Sequence, residues 1–407
     1  MKDRKVNRRV LLLIESARAY GRGIITGVAR YAREHGHWTI FYEEREILTT
    51  IPTSLKEWKG DGIICRTSVS PLGRYLRNLG VPLIELLGDQ QRFVCDVPSD
   101  AIVAGQMAAD HFIERGLQHF AYYSYGNAWW AQARGDAFAD ALVQKGLTCH
   151  RLTTHDGKKV EAFPEWQAAY GTKLLRWLSK LPTPIGIWCA CDTFAQQVHS
   201  AVTKLGLTIP DEVALLGIDN DEHLCNVLTP TLSSIDPNSI AIGYQAAKRL
   251  EAKMDRHAQK RTKPFHEETP TPISPLGVVV RQSTDVIAVD DPQLVSIVRF
   301  IRNNALQGIH VAEVARQFDI SRRTLERRFR QHFGRTVDQE ITSLRLEHAK
   351  FLLRETQLPI AEIGEQTGFD PHYFTKAFHR IVGVSPNAYR LANRMGVPLK
   401  PHGRPQK

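Results

Sequence analysis

The chain has 407 residues, 43% of them hydrophobic and 24% charged, which is the balance of a soluble globular protein with room for two or three domains. A chain of this length buries a core large enough to need no disulfide or metal staple. The net charge of +10 is unevenly placed: from Asp291 onward 19 lysines and arginines stand against 11 acidic residues, while the preceding residues carry 34 against 32. A near-neutral body with a basic C-terminal module points to a polyanion partner for that module, or to a merely solvated basic face.

The N-terminus, MKDRKVNRR, leads into an apolar run, Val10–Ile14, too short for a signal peptide. No stretch approaches the roughly 18 apolar residues of a membrane span. A cytoplasmic protein is expected. The six cysteines form no CxxC pair and match no zinc spacing, so neither metal nor cofactor is expected. Cys189 and Cys191 lie in an apolar run and read as small buried thiols.

In chain order, Val10–Ile14, Gly62–Cys65, Pro82–Leu87, Phe120–Ser124, Ile185–Ala190 and Val213–Ile218 read as buried strands. Amphipathic helices are predicted over Gly23–Glu34, Ala101–Arg115 and Asp192–Leu205. The alternation implies right-handed βαβ units and parallel sheets, in one large sheet or two smaller lobes. The glycines Gly21, Gly23 and Gly27 imitate a dinucleotide fingerprint, but Thr26 occupies the place of the third glycine. From Met254 to Pro275 prolines and scattered charges predict loop. A last strand-like run, Gly277–Arg281, precedes Gln282-Ser283-Thr284. Asp285–Asp291 reads as a linker, Pro292 onward as wholly helical, and the tail from 394 as disordered.

The helical region contains a repeat at an offset of 49 residues, Val311–Gly334 matching Ile360–Gly383. Each copy predicts a short helix, a tight turn and a second helix. Ala315 and Gly364 let the two helices cross closely. Ser321 and Asp370 suit N-caps, and Pro371 the first helical position. Leu325, Phe329 and Phe333 share one face, while Arg322, Arg323, Arg327, Arg328 and Arg330 lie on the opposite side. Between the copies, Leu344–Thr356 is a good helix former that would set the spacing of two recognition helices, about 34 Å for successive major grooves.

In the sensor part, Asp219-Asn220 and Asp192 end two buried strands, where open parallel sheets place their ligands. Asp192 could equally cap its helix. No nucleophile elbow, HExxH, P-loop or carboxylate pair on a shared element is present, so an enzyme is not expected.

The C-terminal region resembles the DNA-binding domain of the AraC/XylS family, through Ile309–Ala315, Ser321–Gly334, Arg345-Leu346-x-x-Ala349 and Ile360–Pro386. The resemblance implies base reading by Arg323, Glu326 and Arg327 in the first unit and by His372, Thr375 and Lys376 in the second. Arginine pairs bidentately with guanine and glutamate accepts from cytosine, although Glu326 could instead orient a neighbouring arginine. Arg322 joins this surface, and Arg328, Arg330 and Arg380 are expected on phosphates.

Residues Val10–Thr284 resemble the effector-binding core of the LacI/GalR repressors, through Asp96–Asp100, Ala104-Gly105, Ile187–Asp192, Leu215–Asn220 and Val278–Thr284. The DNA-binding headpiece of that family is missing, and the double helix-turn-helix takes its place. The implied architecture is a two-lobed α/β, periplasmic-binding-protein-like sensor at 8–284, a linker at 285–291 and a helical reader at 292–393. The combination is similar to bacterial regulators of pentose use. It implies a monosaccharide effector, D-xylose, with Asp192, Asp219 and Arg134 as a polar clamp beside Asn220. Trp130 or Trp129 would cover the sugar ring, and the loop Glu15, Ser16, Arg18 and Tyr20 would supply donors from the other lobe. Operator DNA, a homodimer and contact with RNA polymerase follow as expected partners, with gene activation as the output. A transport receptor for sugar is the competing binding function, and the attached reader argues against it.

Overall fold

The computed structural model of the chain describes residues 7–35, 37–43, 55, 58–66, 71–87, 95–125, 128–154, 163–259, 270–286 and 291–395. The first lobe is a parallel sheet of β1 (Arg8–Leu13), β2 (Trp38–Tyr42), β3 (Gly62–Cys65) and β4 (Leu83–Glu85), in the order β2-β1-β3-β4. Its central strands are the apolar runs that the sequence marks, and β3 is buried throughout. Edge strand β2 is half exposed and therefore forms no buried apolar run.

Helices α1 (Ala19–His35) and α2 (Pro71–Asn78) flank this sheet, and α3 (Ala101–Ile113) opens the second lobe. The second sheet holds β5 (His119–Tyr125), β6 (Cys149–Thr154), β7 (Ile185–Cys189), β8 (Val213–Ile218), β9 (Ser233–Asp236) and β10 (Gly277–Val279), in the order β10-β9-β8-β7-β5-β6. Only β10 runs antiparallel to its neighbour among these pairings. Helices α4 (Trp129–Val143), α5 (Phe163–Leu178), α6 (Asp192–Lys204) and α7 (Glu222–Val227) alternate with its strands. Strand β9, Ser-Ser-Ile-Asp, is buried despite its polarity because its hydroxyls are bonded: Thr284 Oγ1 lies 2.7 Å from Ser233 Oγ, and Ser234 Oγ donates to Asp192 at 2.6 Å.

Helix α8 (Ser239–Ala258) returns to the first lobe and packs on α1. The approach is backbone to backbone. A Cβ on Gly27 would lie 2.0 Å from the Ile240 carbonyl oxygen, and one on Gly243 would lie 2.0 Å from that of Ile24. The apparent nucleotide motif at the start of α1 is therefore a packing device. Of the proline-rich loop, 260–269 lies outside the described residues. The chain crosses between lobes near Pro98–Asp100, near Asp236–Ser239 and at Ile273–Gly277. Ser99 and Ile273 form a bridge there, with Asp100 N donating to Ile273 O at 2.9 Å.

The helical module comprises α9 (Pro292–Asn304), α10 (Val311–Gln317), α11 (Arg322–Phe333), α12 (Val337–Glu355), α13 (Ile360–Gln366), α14 (Pro371–Val382) and α15 (Pro386–Met395). It has two hydrophobic cores. Leu325, Phe329 and Phe333 of α11 fill the first, and Phe374, Ala377 and Phe378 of α14 fill the second. Helix α12 belongs to both, placing Val337 and Ile341 in the first and Leu346, Ala349 and Leu353 in the second. Its 19 residues extend about 28 Å at 1.5 Å each, so the two units are held apart by a rigid rod. Ser321 caps α11 by accepting from Thr324 N at 3.1 Å, and Asp370 accepts from Tyr373 N at 3.3 Å.

Sensor and reader touch. Arg335, between α11 and α12, donates to the Glu114 carbonyl at 3.1 Å and pairs with the carboxylates of Glu114 and Glu340. In the linker, 287–290 lies outside the described residues, whereas Val286 is buried and Asp291 caps α9. The tail beyond Met395 also lies outside them. Among the described residues no helix is long and apolar enough to cross a membrane, and no group of three or more His, Cys, Asp or Glu could hold a metal ion.

Candidate functional site

A cleft runs between the C-terminal ends of the two sheets. Arg18, Tyr20, Arg66, Leu86, Leu87 and Cys95 line it from the first lobe, and Trp129, Trp130, Arg134, Cys191 and Asp219 from the second. Pro98 and Ser99 of the crossing strand close one side.

Asp219 follows β8 directly and has φ 129°, and Asn220 has φ 48°. Both are conformations that non-glycine residues avoid, and such strain persists where the surroundings over-determine it. Here they do. Asp219 N donates to Ile235 O at 3.1 Å, Asn220 N to Ser234 Oγ at 3.0 Å, and Asp221 N to Asp192 Oδ2 at 2.8 Å. Removal from water raises the Asp219 carboxyl above its ordinary range, against the pull of Arg134, Arg18 and Arg66.

Arg134 projects from α4, buried, and donates to the Ala190 carbonyl at the end of β7 at 2.6 Å, while its guanidinium covers the Trp130 ring at 5.2 Å. Arg66 is the residue after β3 and pairs with Glu15, which stands just beyond β1. It lies over the Tyr20 ring at 4.9 Å, and burial pushes its pKa down. The cleft thus presents one carboxylate and three guanidiniums, with Asp219 and Arg66 at strand ends and Arg134 held by the Ala190 carbonyl. That set of acceptors and donors suits a polyhydroxylated ligand, and Trp130 offers it an apolar face.

The structure brings Asp219, Arg134, Trp130, Arg18 and Tyr20 together at the lining. It places the other expected residues behind it. Glu15 is engaged with Arg66, the Ser16 carbonyl accepts from Arg22 at 2.9 Å, and the Asn220 side chain accepts from Arg281 at 2.9 Å. Asp192 is buried, its oxygens taken by Ser234 Oγ, Asp221 N and, at 3.6 Å, Cys225 Sγ. It neither lines the cleft nor caps α6, whose N-cap is Cys191. Asp192 staples the Asp219 loop to β9, and Gly217 makes room for it, since a Cβ there would lie 2.0 Å from Asp192 Oδ1. Burial first, and then the Asp219 charge, raise its pKa. Arg66 escaped the sequence reading although it ends a recognised strand, the same signal that singled out Asp219.

On α11, Arg322, Arg323, Arg327 and Arg330 are exposed. Glu326 is half-buried and accepts from Val337 N at 3.3 Å, at the start of α12. Arg328 is half-buried and turned inward, donating to Gln293 at 2.6 Å and pairing with Asp291, whose carboxyl it holds below the usual range. Its phosphate assignment therefore gives way to a role in fixing the start of α9. On α14, Thr375, Lys376 and Arg380 are exposed, and Arg380 lies 5.8 Å from the Tyr373 ring centroid. The side chain of His372 lies outside the described residues. Arg345 is buried and donates to the carbonyls of Ala305 and Ile309 at 2.8 and 2.7 Å, tying the first unit to α12.

Comparison with known proteins finds matches along both the sheet-containing part and the helical part of the chain. A periplasmic binding protein-like domain matches residues 109–284, an N-terminal domain of the XylR type matches 9–105, and a helix-turn-helix domain matches 314–392. The chain is 31% identical over 400 residues to the xylose operon regulatory protein of Escherichia coli K12, covering 95% of this chain and 97% of that one. It is 30% identical over 393 residues to that of Haemophilus influenzae, covering 94% and 98%. A solved structure of the xylose-binding transcription activator XylR aligns with a TM-score of 0.58 at 28% identity, over 95% of this chain and 98% of that one. With both domains matched in order and nearly the whole length shared, the chain belongs to the xylose operon regulatory proteins, a family of sugar-responsive, DNA-binding transcription regulators.

Proposed function

We propose that the cleft binds D-xylose and that the protein activates pentose catabolic genes in response. The observation that supports this is Asp219, strained, beside Arg134 of its own lobe and facing Arg18 and Arg66 of the other. Asp219 would accept two sugar hydroxyls, the arginines would donate to others, and Trp130 would cover the ring. Asp192, Asn220, Glu15 and Ser16 act one layer out, by holding these groups. The function is binding, with no turnover in the cleft.

The division is a sensor over 8–284, a linker over 285–291 and a reader over 292–393, working in the cytoplasm as a homodimer that contacts RNA polymerase. Sugar prefers the closed sensor, and that preference is the free energy available to reposition the readers. Arg323 and Arg327 of α11, with His372, Thr375 and Lys376 of α14, read bases, and Arg322, Arg330 and Arg380 hold phosphates. Glu326, engaged with the start of α12, orients this surface.

Calorimetry of the full chain with D-xylose, L-arabinose, D-ribose and D-glucose tests the effector, and DNA binding with and without the tightest of them tests the response. Tight D-xylose binding that changes DNA affinity or geometry is expected. No heat with any sugar would remove the effector, and binding without a DNA response would remove the mechanism.

A further inference from the structure

Two residues beyond Asp219, Asp221 reaches across to the other lobe. Its carboxylate accepts from Ala19 N at 3.0 Å, in the first turn of α1. Arg22 Nη2 lies 3.1 and 3.0 Å from its two oxygens. The other end of the same guanidinium, Nη1, donates to the carbonyls of Ser16 and Ala17 at 2.9 and 3.0 Å. Arg22 therefore folds the loop that carries Arg18 into the cleft, and Asp221 holds Arg22. On its own lobe Asp221 is fixed, its N–H bonded to Asp192 and the preceding Asn220 gripped by Arg281. Neither Arg22 nor Asp221 lines the cleft.

We infer that Asp221 is a positioning residue, a latch whose ion pair with Arg22 forms as the lobes close and seats the Arg18 loop over the ligand. The inference rests on reading the cleft as the ligand site. Ligand contact at Asp219 and the latch at Asp221 are two ends of one three-residue loop, so a ligand that draws Asp219 into place also aligns the latch. Opening the lobes breaks the pair without disturbing either sheet. Affinity for any ligand enclosed by closure falls in proportion to the closed population. The contact is charge-assisted, with one nitrogen, Nη2, shared between both carboxylate oxygens, but the Arg22 side chain is 40% exposed and Asp221 14%. Screening therefore limits the expected effect of its loss to about tenfold in affinity.

The test uses the full chain in four forms: wild type, Asp221→Ala, Arg22→Ala and the double variant. Two readouts are taken, D-xylose affinity by calorimetry and the sugar-free lobe separation from pulsed spin-label distances, with labels introduced as unnatural amino acids at exposed Asn78 and Lys204. Each single variant is expected to bind about tenfold more weakly and to show a longer separation, and the double variant to be little worse than either, because one interaction has been removed twice. Asp221→Glu should recover part of the affinity, and Asp221→Asn, which keeps the shape, replaces Asp221→Ala if that variant does not fold. Wild-type affinity in the single variants, or losses that multiply in the double, overturns the latch. If wild type binds none of the sugars, the effector assignment fails and the distances decide alone: unchanged separation overturns the latch, and a longer one supports it.

Discussion

At Asp219 backbone strain and the proposed ligand contact fall on one residue. Its φ of 129° costs on the order of 1–3 kcal/mol in a non-glycine residue, and its carboxylate is held out of water among arginines. Asp219→Gly relieves the backbone, offset by the larger entropy glycine loses on folding. The expected outcome is a sensor at least as stable as wild type, by up to about 1 kcal/mol, that no longer binds sugar. Thermal melts and calorimetry on the same sample check both halves. His111 makes a second prediction. It is buried with Nε2 2.9 Å from Thr284 Oγ1, and burial first, then Arg115 and Arg302, depress its pKa well below 6.5. The unfolded chain takes up a proton near pH 6.5 and the folded chain does not, so this group's contribution is full above 6.5 and shrinks as the pH falls further. His111→Gln should flatten the decline of the melting temperature between about pH 6.5 and 5 relative to wild type. An unchanged slope would count against the depressed pKa.

Elements differ in how openly the sequence declares them. Strands β3, β7 and β8 are buried on both faces and made of apolar residues, so each is a continuous run. Strands β2 and β6 lie at sheet edges and mix polar with apolar residues, and β9 is polar yet buried through hydrogen bonds to residues some 50 positions away. No local pattern carries those partners. Helix α8 is another case, since its first-lobe placement depends on Gly27 and Gly243 letting the two backbones approach, at Ile240 and at Ile24. Gly243→Ala drives a methyl into the Ile24 carbonyl and should cost about 1–3 kcal/mol, read as a lowered midpoint in urea unfolding. A neutral result would contradict the close approach of α1 and α8. The two recognition helices were legible because each repeats the same caps, turn and apolar spacing, and the latter part of α12 because Leu344–Thr356 is a good helix former.

At the scale of the molecule, the contact of Arg335 with Glu114 and Glu340 joins sensor to reader, close to where Arg115 grips the Thr284 carbonyl at 2.6 Å. Arg335→Ala should leave sugar affinity and basal DNA affinity within about twofold while lowering the sugar-dependent change in DNA affinity, a coupling of typically about 1–3 kcal/mol in allosteric proteins. DNA titrations with and without sugar measure it, and full retention of the coupling would exclude this contact as a route. The exposed arginines make DNA affinity fall steeply with salt through counterion release. Arg327→Ala should weaken preference at one base pair by about 1–3 kcal/mol, whereas a uniform loss across sequences would assign Arg327 to phosphates.

The sequence by itself determined the parallel α/β sensor, the double helix-turn-helix and its basic face, because buried runs, caps and a repeat are local in the chain. It also set Asp219 at the end of a buried strand, where open parallel sheets gather ligands. Tertiary structure alone decided which polar groups face the cleft and which serve one another. Asp192 and Arg328 have the composition of functional residues, yet Ser234, the Asp221 amide, Asp291 and Gln293 occupy them. Arg66 and Asp221 acquire their positions from partners in distant segments. A side chain's chemistry is written at its own position, but whether its hydrogen bonds are already spent depends on residues the fold delivers from far along the chain.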